Sequence, residues 1–429
     1  MYPRRADHTR DRSSVHHRCC LAWVFAFLTS VGPGATSALA VESVTTIQEV
    51  LARVPQTATA EVAAAITEIA VADLDRSKSE RFPVVTVDAQ DNLTGDSSSY
   101  EPEYVLRVEQ MLLDWGRSEE AVLARESMIN AKRSGEQEAV LEAALQSAEA
   151  FFGIGVINGK LEANRENRRA LRELQSMMER RVENRVSPNI DLQEVTSLID
   201  LLDIADRRLR SEKRAQQLTL IRLAGVNVER PEMPDCVRPA PLVEESLVRD
   251  ALAFSPTLAR LGHTEESHAY DRKAIEATRL PSLVAGYRAD SKLDGNDFDH
   301  RAYLGLRYEL RIGGDLGARS AAERARGLEQ RALYRRDAEN ITQTVGAWVS
   351  TYRASVALAD VYRRVVSSKV EQRESHLRRF LVDRSSWRDV LSAQREVAEA
   401  KTSQIDMTGA ICLASSSLDL LTGGVGALR

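Results

Sequence analysis

The sequence predicts an α+β protein that is built as an internal duplication, with two β-strands and very long helices in each copy. Three kinds of landmark occur twice: an Arg-x-Pro, an aspartate after a predicted helix–helix turn, and a closing Leu-x-Gly. The pairs are Pro83 and Pro281, Asp191 and Asp389, and Gly225 and Gly423, each separated by 198 residues (281 − 83 = 389 − 191 = 423 − 225 = 198). A spacing shared by three landmarks indicates a repeated structural unit. We therefore expect a first repeat over 41–225, a linker over 226–243 and a second repeat over 244–425.

The N-terminus has the pattern of a secretory signal peptide. A basic region precedes an apolar stretch over 21–31, and Ala38-Leu39-Ala40 provides a cleavage site. The pattern predicts export by the Sec route and removal of residues 1–40. A buried N-terminal helix is the alternative interpretation.

The composition favours long helices over a thick globular core. Charged residues make up 28% of the 429 residues and aromatic residues 5%, and the formal net charge of −5 gives no signal for nucleic acid. No later stretch is continuously apolar over about eighteen residues, which excludes a membrane-spanning helix at the level of the sequence. Cys236 and Cys412 remain in the mature chain, and we expect them to stay unpaired, with a disulfide as the alternative.

Two predicted strands follow each Arg-x-Pro, at about 84–92 and 104–112 and at about 282–293 and 301–310. Their apolar and polar residues alternate, and a period of two is a strand signal. In the fourth strand Ala302, Leu304, Leu306, Tyr308 and Leu310 share one face, and Tyr303, Gly305, Arg307 and Glu309 share the other.

These strands have the length and the two faces of membrane-spanning β-strands. Roughly nine to eleven residues suffice for a tilted strand to cross a bilayer. An apolar face suits lipid and a polar face suits a water-filled lumen. The predicted lumen residues are Arg107, Glu109, Arg288, Arg307 and Glu309. Four strands cannot close a barrel and lipid tolerates no open edge, so several chains would each contribute four strands. A soluble sheet with one hydrated face is the alternative.

Long helices are predicted over about 117–184 and 317–381, and shorter ones follow over about 191–223 and 389–421. Apolar residues recur at spacings of three and four in them, which indicates coiled-coil packing. Roughly seventy residues at 1.5 Å each give a rod of about 100 Å. Gly153, Gly155 and Gly159 interrupt the first rod, where they predict a kink or a close helix contact, with a hinge as the alternative.

In these features the chain resembles the TolC family of outer-membrane factors. The resemblance is carried by the duplication, by the strand exit Leu112-Leu113-Asp114-Trp115-Gly116-Arg117, and by the helix–helix turns over 185–192 and 380–391. It implies a homotrimer, with a twelve-stranded outer-membrane β-barrel and a coiled-coil α-barrel that extends into the periplasm. It also implies a channel without enzymatic activity or cofactor.

The resemblance further implies a closed constriction where the two turns meet, lined by Asp389. Asp191, Arg384 and Arg388 are near enough in the sequence to pair across coils there, although these charges could simply solvate the turns. The turns would also be the docking surface for a periplasmic adaptor, through Val186, Ser187, Pro188, Asp383, Ser385 and Ser386. Family members usually carry glycine early in each turn, and Val186 and Asp383 lie near those positions.

The implied function is the passive exit duct of a tripartite export system, with an adaptor and an inner-membrane ABC or proton-driven transporter as partners. The turn sequence over 386–396 favours type I protein secretion, for example of a large adhesin, and multidrug or metal efflux is the alternative. A periplasmic coiled-coil adaptor or scaffold is the alternative of another class. No catalytic set is present in the sequence, and His263 and His268 lack the spacing of a metal site.

Overall fold

The structure, a computed structural model, describes residues 46–90, 103–292, 298–309 and 313–428. The first half contains α1 (Ile47–Arg53), α2 (Ala58–Ser79), β1 (Val84–Gln90), β2 (Glu103–Leu113), α3 (Arg117–Glu183) and α4 (Asn189–Ala224). The second half contains α5 (Glu244–Phe254), α6 (Pro256–Ala277), β3 (Ser282–Lys292), β4 (Phe298–Arg307), α7 (Asp315–Leu381) and α8 (Trp387–Gly423). The predicted signal peptide lies outside the described residues.

The duplication extends to the ends of the helices. Helix α7 begins and ends 198 residues after α3 (315 − 117 = 381 − 183 = 198), and α6 follows α2 at the same distance (256 − 58 = 277 − 79 = 198). Helix α3 packs against α2, α4, α6 and α8, while α7 packs against α5, α6 and α8. The helices of the two halves therefore interleave along their length.

The four strands form one antiparallel sheet in the order β1-β2-β3-β4. Directly opposed residues share a face of an antiparallel sheet. The register sets Leu106 against Ala289 and Leu304 against Ala285 on an apolar face, and Arg107 against Arg288 on a polar face. The separate alternations of the four strands thus combine into two continuous faces.

The predicted strand ends need correction. Strand β4 begins at Phe298 rather than 301 and ends at Arg307, so Tyr308 and Glu309 follow the strand. Strand β1 is described over Val84–Gln90, and the predicted residues 91, 92 and Leu310 lie outside the described residues. Alternation marks the middle of a strand, whereas its ends depend on where the neighbouring strand still offers hydrogen-bond partners.

The two largest of five buried clusters in the described residues hold the helices together. The first, around Phe151 and Phe152, joins α1, α3, α4, α8 and the linker, and the second, around Met178 and Trp387, joins the ends of the two helical hairpins. Glycine allows close approaches at Gly155 and Gly409, where an added Cβ would clash with Met233 Sδ and Val156 Cγ2, respectively. The predicted close helix contact is confirmed at Gly159, where an added Cβ would lie 3.0 Å from Ile405 of α8, whereas Gly155 approaches the linker.

The linker is fastened to the helices rather than loose. Its Val226 and Val228 are fully buried, and Arg238 donates to Ser415 Oγ at 3.1 Å and forms an ion pair with Asp419 at 2.6 Å. Our expectation for the cysteines was wrong, because a disulfide joins Cys236 of the linker to Cys412 of α8 across 176 residues. Export to an oxidising compartment permits such a bond.

The exclusion of a membrane-spanning helix was also too strong. By length and composition alone, α3 and α8 each contain an apolar window that could cross a bilayer. About half of each window, 50% and 56%, is buried within the fold, as in the core helix of a soluble protein. The two criteria differ because a mean hydropathy over eighteen residues tolerates isolated polar residues. The sequence-based exclusion required a continuously apolar stretch, which such residues interrupt.

Candidate functional site

Two short turns join the long helices to their shorter partners, between Glu183 and Asn189 and between Leu381 and Trp387. Arg185 and Asp383 occupy equivalent positions in them (383 − 185 = 198) and have positive φ angles of 58° and 55°. This region of φ favours glycine. Each turn therefore contains one residue in a conformation that favours glycine: Arg185, next to Val186, in the first turn and Asp383 in the second.

Direct contacts connect the two turns to each other. Arg181 forms an ion pair with Asp383 at 3.1 Å, and its guanidinium lies 4.8 Å from the centre of the Phe380 ring. The indole Nε1 of Trp387 donates to the main-chain oxygen of Asp191 at 3.0 Å. Sequence analysis placed Phe380 and Trp387 in the turn over 380–391 but missed their contacts and missed Arg181, because these contacts cross from one repeat to the other.

Asp389 is the N3 residue of a capping box that begins α8. Its Oδ2 accepts from the main-chain N–H of Ser386 and from the hydroxyl of Ser385, both at 3.0 Å, while its own N–H donates to Ser386 Oγ at 3.2 Å. These hydrogen bonds hold the pKa of Asp389 below its ordinary value, and the bond from the Ser386 N–H has the largest effect on it. Near neutral pH the turn therefore presents an ionised, solvent-exposed carboxylate.

The other predicted turn residues fall into capping and exposed positions. Pro188 is the N-cap of α4, Asp191 lies in the first turn of that helix, and Ser187 Oγ accepts from Arg181 Nε at 3.1 Å. Arg384 and Arg388 are exposed, and within the described chain neither forms an ion pair with Asp389 or Asp191. Both aspartates are first-turn residues of helices rather than turn residues, because a carboxylate is favoured at a helix N-terminus.

The polar face of the sheet brings most of the predicted lumen residues together. Arg307 of β4 forms an ion pair with Glu109 of β2, and the Tyr303 hydroxyl donates to the same carboxylate at 3.2 Å. Arg288 pairs with Asp290 on its own strand at 2.7 Å. Glu309, predicted on this face, lies beyond the end of β4.

A charged cluster lies between α6 and α7. His268 Nδ1 lies 3.0 Å from Glu323 Oε2, and His268, Asp271 and Glu323 place one ligand-type atom each within 4.8 Å of one another. Arg125 lies 3.2 Å from Asp271, and burial raises the pKa of that carboxyl. Sequence analysis weighed His268 only with His263 and rejected a metal site there, and His263 Nδ1 lies 3.7 Å from Glu266 Oε2. The i,i+3 spacing of His268 and Asp271 on one helix face was the signal that could have indicated this cluster.

The capping box predicts a pH dependence. Because the folded state lowers the pKa of Asp389, its stabilising contribution is complete above the ordinary aspartate pKa and is lost as pH falls through the lowered value. Asp389→Asn should therefore lower the thermal midpoint at neutral pH, and the difference from wild type should disappear in acid. Ser386→Ala removes the other half of the capping box and one of the hydrogen bonds that lower this pKa, so it should cost about 1 kcal/mol and show part of the same pH dependence. A pH-independent effect of Asp389→Asn would contradict the capping interpretation.

Comparison with known proteins assigns this architecture. Residues 247–424 match the family model described as outer membrane efflux protein. Comparison with curated proteins finds no match.

Solved outer-membrane proteins share the fold at low sequence identity. The outer membrane protein VceC from Vibrio cholerae has 15% identity and a TM-score of 0.77, with 88% of this chain and 96% of that chain covered. The outer-membrane channel OprN has 14% identity and a TM-score of 0.78, with coverages of 89% and 91%. The open state of the MtrE outer membrane channel from Neisseria gonorrhoeae has 15% identity and a TM-score of 0.71, with coverages of 88% and 89%.

The family match and the fold agree with the resemblance drawn from the sequence. The matched family consists of outer-membrane channels rather than enzymes, which agrees with the predicted class and location. The structural likeness covers both repeats, while the family model covers the second repeat from α5 to the end of α8. Residues 247–424 thus match the outer membrane efflux protein family, and the chain as a whole has the fold of the TolC-type outer-membrane channels.

Proposed function

We propose that the chain assembles as a homotrimer and forms the passive exit duct of a tripartite export system. In this assembly three sheets close a twelve-stranded barrel in the outer membrane, and the long helices form a hollow barrel in the periplasm. A periplasmic adaptor and an inner-membrane transporter, ABC-type or proton-driven, are the other two parts. The transporter supplies the energy.

The sheet is the observation that carries this proposal. On its apolar face Val87, Leu304 and Leu306 are 71%, 67% and 73% exposed. A face with this much exposed apolar surface is unfavourable in water and favourable in contact with lipid. Within the described chain, β1 and β4 each pair with one strand only, so both outer edges are open. Open edges are costly in lipid, and pairing with the sheets of further copies satisfies them.

We assign the periplasmic constriction to the turns. Three copies of Asp389 around an axis would form a ring of carboxylates, which favours cations in a narrow aqueous neck. Asp191, Arg384 and Arg388 would set the charge of this neck through contacts between copies. Each such exposed ion pair contributes only about 0.2–1 kcal/mol, a strength suited to a closed state that a partner can open.

The adaptor would dock on the outer surface of the same turns. Val186 offers an exposed apolar side chain, 59% accessible, and Asp383 a largely exposed carboxylate. Ser187, Pro188, Ser385 and Ser386 complete this surface, where Ser187 accepts a hydrogen bond from Arg181 and Ser386 belongs to the capping box of α8. A surface that is already ordered loses little conformational entropy on binding.

For the cargo, two classes have support. The turn sequence of residues 386–391 resembles that of type I secretion factors, whose cargo is protein, whereas the description of the matched family favours efflux of small compounds. The adaptor alternative has less support, because an adaptor carries an all-β segment between its helical halves. The described residues 226–243 between α4 and α5 contain no β-strand.

The assembly predicts that the mature chain, extracted from outer membranes in mild detergent, has the mass of three copies by native mass spectrometry. The reason is that one chain leaves two strand edges open in lipid. A protein that fractionates as a soluble monomer after signal removal would contradict both the trimer and the membrane barrel.

Deletion of the gene in its own host separates the two cargo classes. Disappearance of a large protein from the medium, with unchanged tolerance to toxic compounds, supports type I secretion. Increased sensitivity to drugs or metal ions, with an unchanged set of secreted proteins, supports efflux. Complementation with the wild-type gene is the control in both measurements.

A further inference from the structure

One row across the polar face of the sheet is rich in arginine. The strand register aligns Thr86 of β1, Arg107 of β2, Arg288 of β3 and Arg301 of β4, each opposite the next. Directly opposed side chains share a face and have Cβ atoms about 5 Å apart. Three guanidinium groups and one hydroxyl therefore follow one another along the row, and all of them are hydrogen-bond donors.

The adjacent row, toward the β3–β4 hairpin, is mostly acidic. It contains Asp88, Val105, Asp290 and Asp299 in the same strand order. Asp290 pairs with Arg288 at 2.7 Å, and Asp299 pairs with Arg301. Two of the three arginines are thus compensated by the carboxylate two residues away on their own strand.

Arg107 is the arginine that the adjacent row does not compensate. On β2 the position equivalent to the paired aspartates is Val105. Two residues further along β2 in the opposite direction lies Glu109, whose carboxylate forms an ion pair with Arg307 and accepts a hydrogen bond from Tyr303. In the described part of the chain, no carboxylate lies within ion-pair distance of Arg107.

The Arg288–Asp290 pair reduces, but does not remove, an electrostatic cost of this arrangement at Arg107. Like charges directly opposite each other on neighbouring strands destabilise the pair, and Arg107 faces Arg288. A bound anion removes that repulsion, because the planar guanidinium forks of neighbouring arginines can bind the oxygens of one phosphate or carboxylate together. The row thus has the charge and the donors of an anion site.

We propose that the row of Thr86, Arg107, Arg288 and Arg301 binds dissolved multivalent anions, those that carry several phosphate or carboxylate groups, inside the barrel. This inference rests on the proposed function, since the trimeric barrel makes the polar face a lumen and repeats the row three times. The row then acts as a cationic band near the hairpin end of the duct. Anionic cargo would be held there on its way out.

Tripolyphosphate is a suitable probe in planar-bilayer recordings of the oriented wild-type trimer. Added on the side of the β3–β4 hairpins, it reaches the row without passing the helical part of the duct. We expect it to block the current. Arg107→Gln should weaken the block roughly tenfold, the change expected for the loss of one charge-assisted contact. Arg107→Lys should weaken it less, because the charge remains and only the fork geometry is lost.

Two control variants keep this test specific. Arg319→Gln removes one charge from an exposed position of α7, outside the sheet, and should leave the block unchanged. Asp88→Asn removes a negative charge from the adjacent row and should leave the block as strong or strengthen it. The inference is overturned if wild-type channels form and the probe blocks wild type and Arg107→Gln equally, or blocks neither. The proposed export duct is not contradicted by that result. If wild type forms no channel, the proposed function fails and this inference fails with it.

Discussion

Leu304→Arg is expected to lower sharply the amount of trimer assembled in the outer membrane. Leu304 lies inside the apolar face of β4, opposite Ala285, and 67% of its surface is exposed. If this face contacts lipid near the bilayer midplane, an arginine there costs about 2–4 kcal/mol. Seminative gel electrophoresis of outer-membrane fractions, with immunoblotting for trimer and monomer, measures the loss.

Gly305→Arg is the matched control for this prediction. Gly305 is the next residue of the same strand and lies on the polar face, opposite Val284. A Cβ built there meets its nearest neighbour, Val284, at 3.8 Å, which is ordinary contact, so the position has room for a side chain to begin. Arginine facing a water-filled lumen should leave most of the trimer intact. Equal loss in the two variants, or equal tolerance, would show that the two faces do not differ in environment.

The faces of the sheet were predictable because each follows from alternation within a single strand. Once Leu304 and Arg307 are placed on opposite faces, antiparallel pairing has to align them with the matching faces of β3. The arginine row was not predictable in this way. Whether Arg107 meets Arg288 or a neighbour two residues away depends on the register of β2 against β3. Four helices, α3 to α6, separate these two strands in the sequence, so no hairpin turn fixes that register.

The helical part was predictable in extent and less so in its contacts. Sustained spacings of three and four fix the long helices to within two residues of their observed ends, since α3 and α7 begin at Arg117 and Asp315. The disulfide between Cys236 and Cys412 was not predictable, because it depends on how the linker folds back across 176 residues. The positive φ of Arg185 was equally hidden, since nothing in an arginine side chain marks that conformation.

The end of the molecule that carries the turns depends on one buried indole, which gives the second large effect. Trp387 is only 5% exposed, and its ring centre lies 5.3 Å from that of Phe380. Its Nε1 also donates a hydrogen bond to the main-chain oxygen of Asp191, which lies just after the other turn, at the start of α4. Trp387→Ala should therefore destabilise this region by about 3–5 kcal/mol through the loss of buried surface and the cavity that remains.

Hydrogen exchange at the amides of residues 183–192 and 380–391 measures this effect locally. Both turns should lose protection together, although only one is mutated, because the indole connects them across the two repeats. Trp387→Phe should cost less, since it keeps most of the ring and loses the hydrogen bond, which is worth about 1 kcal/mol. Trp115→Ala is the matched control. Trp115 also donates a main-chain hydrogen bond, from Nε1 to Pro281 O at 2.8 Å, but its side chain is 52% exposed rather than buried. If Trp387→Ala exposed only its own turn, the two turns would be independent, and a single constriction built from both could not be maintained by this contact.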